Sequence, residues 1–511
     1  MMVSDLTDLI PLNHTLRSSQ KRNISNLLTI SQSFAHDAQY ESSNTPSVQD
    51  DIVVLESGHQ PNYFPYSGVW KKVYLMDQFQ KMLDSKGISG IAFFGFADQN
   101  VTTAPYLYKN QMPALNRTGT QKIGFTVKGS DKWKRFETLK KPLPEVWEEE
   151  MLAMEKLSTG TNSEFSAVME IMQKSYERAD SFSDLNAYIF SGICRDILEL
   201  NVNFFRYSDI HRAQLFSDEC KQILGKLDGY SRVHNEVIKN EKLPSRPVDS
   251  GEVPFWHHCD CGGTILLTMD APGMCKGVCP LCKTKYELDF GPDFCRFDDF
   301  SKKMGFSAVS RNLIFAEGLG THIFISGTGG GLRYGKISNA ISSEIGFNQP
   351  VTCAWSSKDY YLGKIHENTL KEFQNTFPFT KTEMLDTALD EKIHAFREDM
   401  NQKIIKMEAE GTDNKSIRLY RGRFLGSSKI AEMVSRVFST TPSMFDIYLN
   451  FDRQEILESW GNALTNSVPE RCGATCVIKQ DSVYDARNDS GFSLDEIPVL
   501  YRNMSIIGEK I

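Results

Sequence analysis

Five of the eleven cysteines in this 511-residue chain fall between Cys259 and Cys282. Cys259 and Cys261 form a CxC pair, and Cys279 and Cys282 form a CxxC pair, with 17 residues between the pairs. Thiolates at this spacing on two separate turns can set four sulfurs about one zinc ion at ~2.3 Å. Gly262 and Gly263 after the first pair, and Gly277 before the second, permit the tight turns that aim backbone N–H groups at sulfur. Four protein ligands close the coordination shell, so the metal is expected to be structural. The flanking runs 264–268 and 285–289 are then strands of a zinc ribbon. His257, His258 and Cys275 are spare donors nearby, and spacing does not say whether one of them replaces a cysteine.

Three polar loops elsewhere carry groups suited to acyl or phosphoryl chemistry. Gly58, His59, Gln60 and Asn62 follow the apolar run 51–57 and precede a helix-like stretch. A His and two amides there could hold a phosphate or polarise a carbonyl. Asp98, Gln99 and Asn100 end a second apolar run, 88–96. The third loop, Gly327-Thr-Gly-Gly-Gly331, has four glycines in five residues, so its backbone can approach a ligand closely. No GK[ST] follows it and it does not fit GxGxxG, so it is neither a P-loop nor a dinucleotide fingerprint. Lys71, Lys72 and Lys336 are available to offset substrate charge, although each also reads as an ordinary solvated lysine.

Positioning three such loops calls for a parallel sheet, whose ligands gather at the carboxyl ends of its strands. The near-continuous apolar runs 51–57, 88–96, 322–326 and 350–355, alternating with helical periodicity, predict strands covered on both faces. The expected fold is α/β: a Rossmann-like parallel core split by a helical insertion and the zinc ribbon, with C-terminal helices. The predicted boundaries are 1–50 for a mobile N-terminal extension, with one helix near 24–38, and 51–130 for the first half of the core. A helical insertion at 131–250, the ribbon at 251–295, the second half-core at 296–362 and a helical region at 363–511 follow.

Forty per cent hydrophobic and 24% charged residues fit a folded, soluble chain. The net charge of −8 argues against a general nucleic-acid partner, leaving tRNA open only through a local basic groove. No basic flank leads into an apolar run at the start, and no run approaches the ~20 residues that span a bilayer. The expectation is a cytoplasmic protein with a small-molecule substrate, no membrane partner, and room for homo-oligomerisation.

Gly58-His-Gln with its following aromatics, Asp98 at the end of the second strand, and Phe306-Ser-Ala-Val-Ser-Arg311-Asn312 leading to Gly327–Gly331 and Tyr334 resemble, in order, motifs of the bacillithiol-biosynthesis cysteine-adding enzymes. The resemblance spans about 130 residues; His59 stands where that family has Gln, and the zinc module is outside its usual pattern. It implies a nucleotide-binding core and a ligase-like enzyme that joins an amino acid, cysteine being one candidate, to a small amine- or sugar-bearing acceptor, with ATP or ADP as a cofactor. In that reading His59 and Asp98 are catalytic. Gly58, Gln60, Asn62, Gln99, Asn100, Arg311, Gly327, Gly329, Gly330 and Tyr334 bind substrate or nucleotide. A shorter stretch, His59 to Gly68, resembles the opening of the WbqC-like family and implies a transferase in sugar or polysaccharide metabolism. Class I lysyl-tRNA synthetases are similar in architecture only, since they too insert cysteine clusters into a Rossmann core. A non-catalytic protein whose ribbon docks a partner is the remaining alternative.

Overall fold

The computed structural model describes residues 15–41, 48–158, 164–485 and 491–508. Its main sheet has seven strands: β1 Val53–His59, β2 Gly90–Phe96, β3 Asn203–Arg206, β4 Ile323–Ser326, β5 Val351–Ser356, β6 Pro469–Cys472 and β7 Thr475–Lys479. They lie in the order β6-β7-β5-β4-β1-β2-β3. All pairs are parallel except β6 with β7. From β1 the chain therefore builds outward through β2 and β3, then returns beside β1 at β4 and builds the other way. Ligands of such sheets sit in the crevice where the order reverses, here between β1 and β4.

The apolar runs arise because both faces are covered. Val53, Leu55, Ala92, Phe94 and Phe204 enter one core, which also takes Trp70, Val73 and Leu75 of the helix Ser67–Ser85 between β1 and β2. Val54, Ile91, Phe93 and Phe205 enter a second core on the opposite face, with Ile337, Ile341 and Ile345 of the helix Gly330–Ile345 between β4 and β5. The larger of these side chains each contribute roughly 1.5–3 kcal/mol when fully buried. Glu56 is the acidic exception in this strand: 2% exposed, it sits between Leu55 and the equally buried Ser57, whose hydroxyl donates to the Ile325 carbonyl.

Several boundaries differ from the sequence expectation. The helix expected near 24–38 starts earlier, at Ser18, and is firmly docked: Ser18–Ala38 buries Ile24, Leu27 and Phe34 and donates from Gln20 to the Glu317 carbonyl at 2.8 Å. Residues 1–14 and 42–47 lie outside the described residues. The helical insertion supplies an edge strand, β3, and the C-terminal helical region supplies β6 and β7. That region, expected to be helical, does carry two long helices, Leu389–Ala409 and Asn414–Ser439. The short strands escaped notice because four or five residues between helical stretches carry too little periodicity to register.

Lys71 is not a solvated lysine. It is 1% exposed, pairs with Asp359 at 2.8 Å and donates to Ser357 at 2.9 Å. Ser67 and Tyr484 complete the shell around that carboxylate. Lys336 instead pairs at the surface with Glu241 at 2.7 Å. Lys72 therefore remains as the lysine of the three that faces the sheet's crevice.

Candidate functional site

The ribbon is a five-stranded antiparallel sheet, formed by Met304–Phe306, Glu252–His258, Thr264–Ala271, Met274–Val278 and Lys285–Asp289 in that order. Its knuckles bring Cys259, Cys261, Cys279 and Cys282 together with all four sulfurs within 4.8 Å of one another. The Cys259–Cys282 and Cys261–Cys279 separations are 3.5 Å. A tetrahedron with ~2.3 Å metal–sulfur bonds has edges near 3.8 Å, so the donor set and its shape fit a metal ion. Tyr286 donates to the Cys259 sulfur at 3.2 Å, and contacts from the Thr284 hydroxyl and N–H push Cys282 down to about 6. A Cβ on Gly263 would lie 2.6 Å from the Cys279 sulfur, so glycine is needed for the knuckle to close. Cys275 is buried in the apolar interior of the ribbon, and His257 and His258 stand outside the four-sulfur cluster.

At the reversal point, Gly58 at the end of β1 carries Tyr207 on its open side. A Cβ there would fall 2.3 Å from the Tyr207 hydroxyl and 2.9 Å from the Gly95 carbonyl. Tyr207 begins the helix Tyr207–Arg212 directly after β3. Arg311, from the helix Ala308–Leu319, lies over the Tyr207 ring at 5.0 Å. Lys72 donates to the Gly58 carbonyl at 3.2 Å, and its Nζ would be 3.7 Å from a Cβ on Gly327. One lysine thus links the first loop to the glycine-rich turn. Gly329 has open space above it, and the Tyr334 ring lies against Gly330.

The electrostatics of this cluster come mostly from burial. Glu56 is pushed up to about 7 by burial, against the pull of Arg311 and Lys72, and one of its oxygens has no hydrogen-bond partner. Lys72 is brought down to about 8 by burial and by Arg311. His59 is held down at about 3 by burial and by the Lys72 and Arg311 charges, so the ring is neutral. Its Nδ1 donates to the Gln60 carbonyl at 2.9 Å, which leaves Nε2 as an acceptor. A base held this low accepts a hydrogen bond far better than it accepts a proton. The Tyr207 hydroxyl, like Glu56, is buried without a partner. Next to it, Gln99, Asn100, Tyr207, Trp256 and Arg311 enclose a cavity of about 10 Å³, enough for one water-sized group.

Asp98 is 1% exposed and engaged by Ser208, whose backbone N–H donates to it at 3.1 Å and whose hydroxyl donates as well. Burial and the nearby Glu137 raise its carboxyl well above the usual range. It thereby fixes the start of the helix that presents Tyr207. It also lines a polar cleft of about 760 Å³ shared with Arg135, Glu137, Asp184, Arg206 and Asp209. Arg206 pairs with Asp184 at 2.6 Å and Asp209 at 2.8 Å across that cleft. Arg135 connects the cleft to the metal knuckle. Its guanidinium donates to the carbonyls of Cys259 at 3.1 Å and Gly263 at 2.9 Å, and its backbone N–H to Gly262 at 2.8 Å. Glu137 and Phe136 in turn donate to the backbone carbonyls of Asp98 and Asn100, each at 2.8 Å.

The structure thus gathers Gly58, His59, Arg311 and Gly327 at one end of the sheet, with Asp98, Gln99 and Asn100 one strand further along. Asn62 is turned elsewhere, buried beside Trp70, Asn186 and Phe190. The sequence reading passed over Glu56 and Tyr207. A carboxylate directly after the apolar run 52–55 was the signal for the first. Tyr207 follows a strand too short to be recognised.

No family model matches the chain, and no curated protein does. Among solved structures, the arginyl-tRNA synthetase of Thermus thermophilus is similar at 11% identity and a TM-score of 0.25, over 93% of this chain and 83% of that one. A likeness that slight carries no argument about function. Among the described residues, no helix is long and apolar enough to cross a membrane.

Proposed function

We propose that the chain is a ligase-like enzyme with a split Rossmann-like core and a structural zinc ribbon, joining an amino acid to a small amine- or sugar-bearing acceptor with a nucleotide bound at the reversal point. The observation that carries this reading is a pair of cations, Lys72 and Arg311, that meet at the carboxyl ends of the two central strands and enter no ion pair among the described residues. Uncommitted cations beside a glycine-rich turn that opens a 16-residue helix suit an anionic ligand. The turn Gly327–Gly331, with Gly329 and Gly330 facing open space and the Tyr334 ring, receives phosphate together with Lys72. Arg311 receives the carboxylate of the amino acid. The neutral His59 and the Gln60 amide orient the reacting carbonyl, and backbone N–H groups of the turn stabilise the oxyanion that forms. Asp98 holds the Tyr207 helix and the cleft wall in place, and the cleft beside it receives the acceptor.

Isothermal titration of the metal-loaded protein with ATP, ADP and L-cysteine tests this. Binding of a nucleotide is expected in wild type and is expected to weaken about tenfold or more in Lys72→Met. Absence of heat from every one of the three would overturn the reading.

A further inference from the structure

Glu56 and Arg311 lie at the same strand end, yet they do not pair with each other. The guanidinium lies over the Tyr207 ring, and one Glu56 oxygen is buried with no donor. The Tyr207 hydroxyl beside it is equally without a partner. An orphaned carboxylate oxygen in a protein interior costs about 1–3 kcal/mol or more, and a fold seldom retains one unless a ligand or water completes it. Glu56 serves no packing purpose that a leucine would not serve better, since its neighbours along β1 are Leu55 and, on the same face, Val54. Two unsatisfied acceptors set across from a cation with no acid partner form a complementary surface for a molecule with an acid at one end and a donor at the other.

We propose that Glu56 is the specificity-determining residue of the reversal-point site: its free oxygen, with the Tyr207 hydroxyl, receives the ammonium group of a ligand whose acid group lies on Arg311. This rests on the enzyme reading above and names the group by which that site tells an amino acid from a simple acid. The groups facing Glu56 are Arg311 from the helix Ala308–Leu319, Lys72 from the helix Ser67–Ser85 and Tyr207 from the helix Tyr207–Arg212. With both cations engaged by anionic ligand groups, an incoming ammonium becomes the counterion of Glu56 and holds it ionised. Binding of the amine therefore strengthens as pH rises from 6 to 8.

Titration of the full-length, metal-loaded protein, with ADP present, compares L-cysteine with 3-mercaptopropionate, which lacks only the ammonium group. Wild type is expected to prefer L-cysteine by roughly 10-fold or more, the worth of one charge-assisted hydrogen bond. Glu56→Gln is expected to lose that preference while its ADP affinity stays within about twofold, and Glu56→Asp, which keeps the charge, to retain part of it. ADP affinity doubles as the check that each variant is folded. Equal binding of the two thiols by wild type, or an undiminished preference in Glu56→Gln, overturns the assignment. If ADP binds and neither thiol does, this inference falls and the enzyme reading stands; if nothing binds, both fall.

Discussion

The four-cysteine cluster takes its sulfurs from the stretch 259–282, whereas the cluster at the sheet's reversal point takes Glu56, Lys72, Tyr207, Arg311 and Gly327 from five separate elements. The first is closed by its own donors and by glycines that let the knuckles turn. The second is left open, with two cations uncommitted and two buried oxygens unpaired. That difference separates two kinds of site. A structural metal site is completed by its own four ligands, and the binding energy is spent on the fold. A ligand site holds groups apart at a cost in stability that a bound molecule can recover. Arg135 joins the two regions, reaching the knuckle with its guanidinium while its neighbours hold the backbone of Asp98 and Asn100.

The comparison is most severely tested by removing the metal. Structural zinc of this type is worth roughly 10–16 kcal/mol, so Cys279→Ala or a strong chelator should unfold the ribbon outright. Hydrogen exchange should then show lost protection over 252–289 while β1, β2 and β4 keep theirs. Loss of the core strands as well would mean that the two regions are a single cooperative unit. Next in size is the ion pair beneath the sheet. Lys71→Met leaves Asp359 buried without its cation and should cost about 3–5 kcal/mol in denaturant unfolding, while Lys71→Met combined with Asp359→Leu should cost less than the single change.

Arg135→Ala addresses the link itself. Loss of its hydrogen bonds to two carbonyls and to Glu137 should cost about 1–3 kcal/mol and lower metal affinity about tenfold, read by competition with a chromophoric chelator. Unchanged metal affinity would show that the knuckle stands independently of the cleft. The smallest effect expected is on the pH dependence of stability. Glu56 and Asp446, raised by burial to about 7 from ordinary carboxyl values, keep their protons in the folded state. Their contribution to stability is fully present below about pH 4 and is lost as pH rises through 7. His59, His211 and His366 are held near 3 by burial, so they cost stability as pH falls below about 6.5. Thermal unfolding should therefore show a maximum near about pH 6, and Glu56→Gln should flatten the alkaline limb by roughly 1–3 kcal/mol at pH 8. An alkaline limb that Glu56→Gln leaves unaltered would mean that Glu56 is ionised already in the unliganded protein.

Local pattern determined what local physics controls. The CxC and CxxC pairs identified the four sulfurs that converge, because thiols so spaced on tight turns meet whatever surrounds them. The apolar runs identified β1, β2, β4 and β5 because strands buried on both faces have no polar positions to spare. The glycine-rich turn and the His59 loop were legible as strand-to-helix connections for the same reason. Only the tertiary structure decided which strands are neighbours, that β3 and β7 extend the sheet from segments dominated by helix, and that the terminal helix Ser18–Ala38 is docked. It alone separated three similar lysines into a buried ion pair, a surface pair and a cation resting on the Gly58 carbonyl at the reversal point. Those outcomes depend on which residue, often hundreds of positions away, fills the space beside a side chain. Hydrophobic spacing does not encode that.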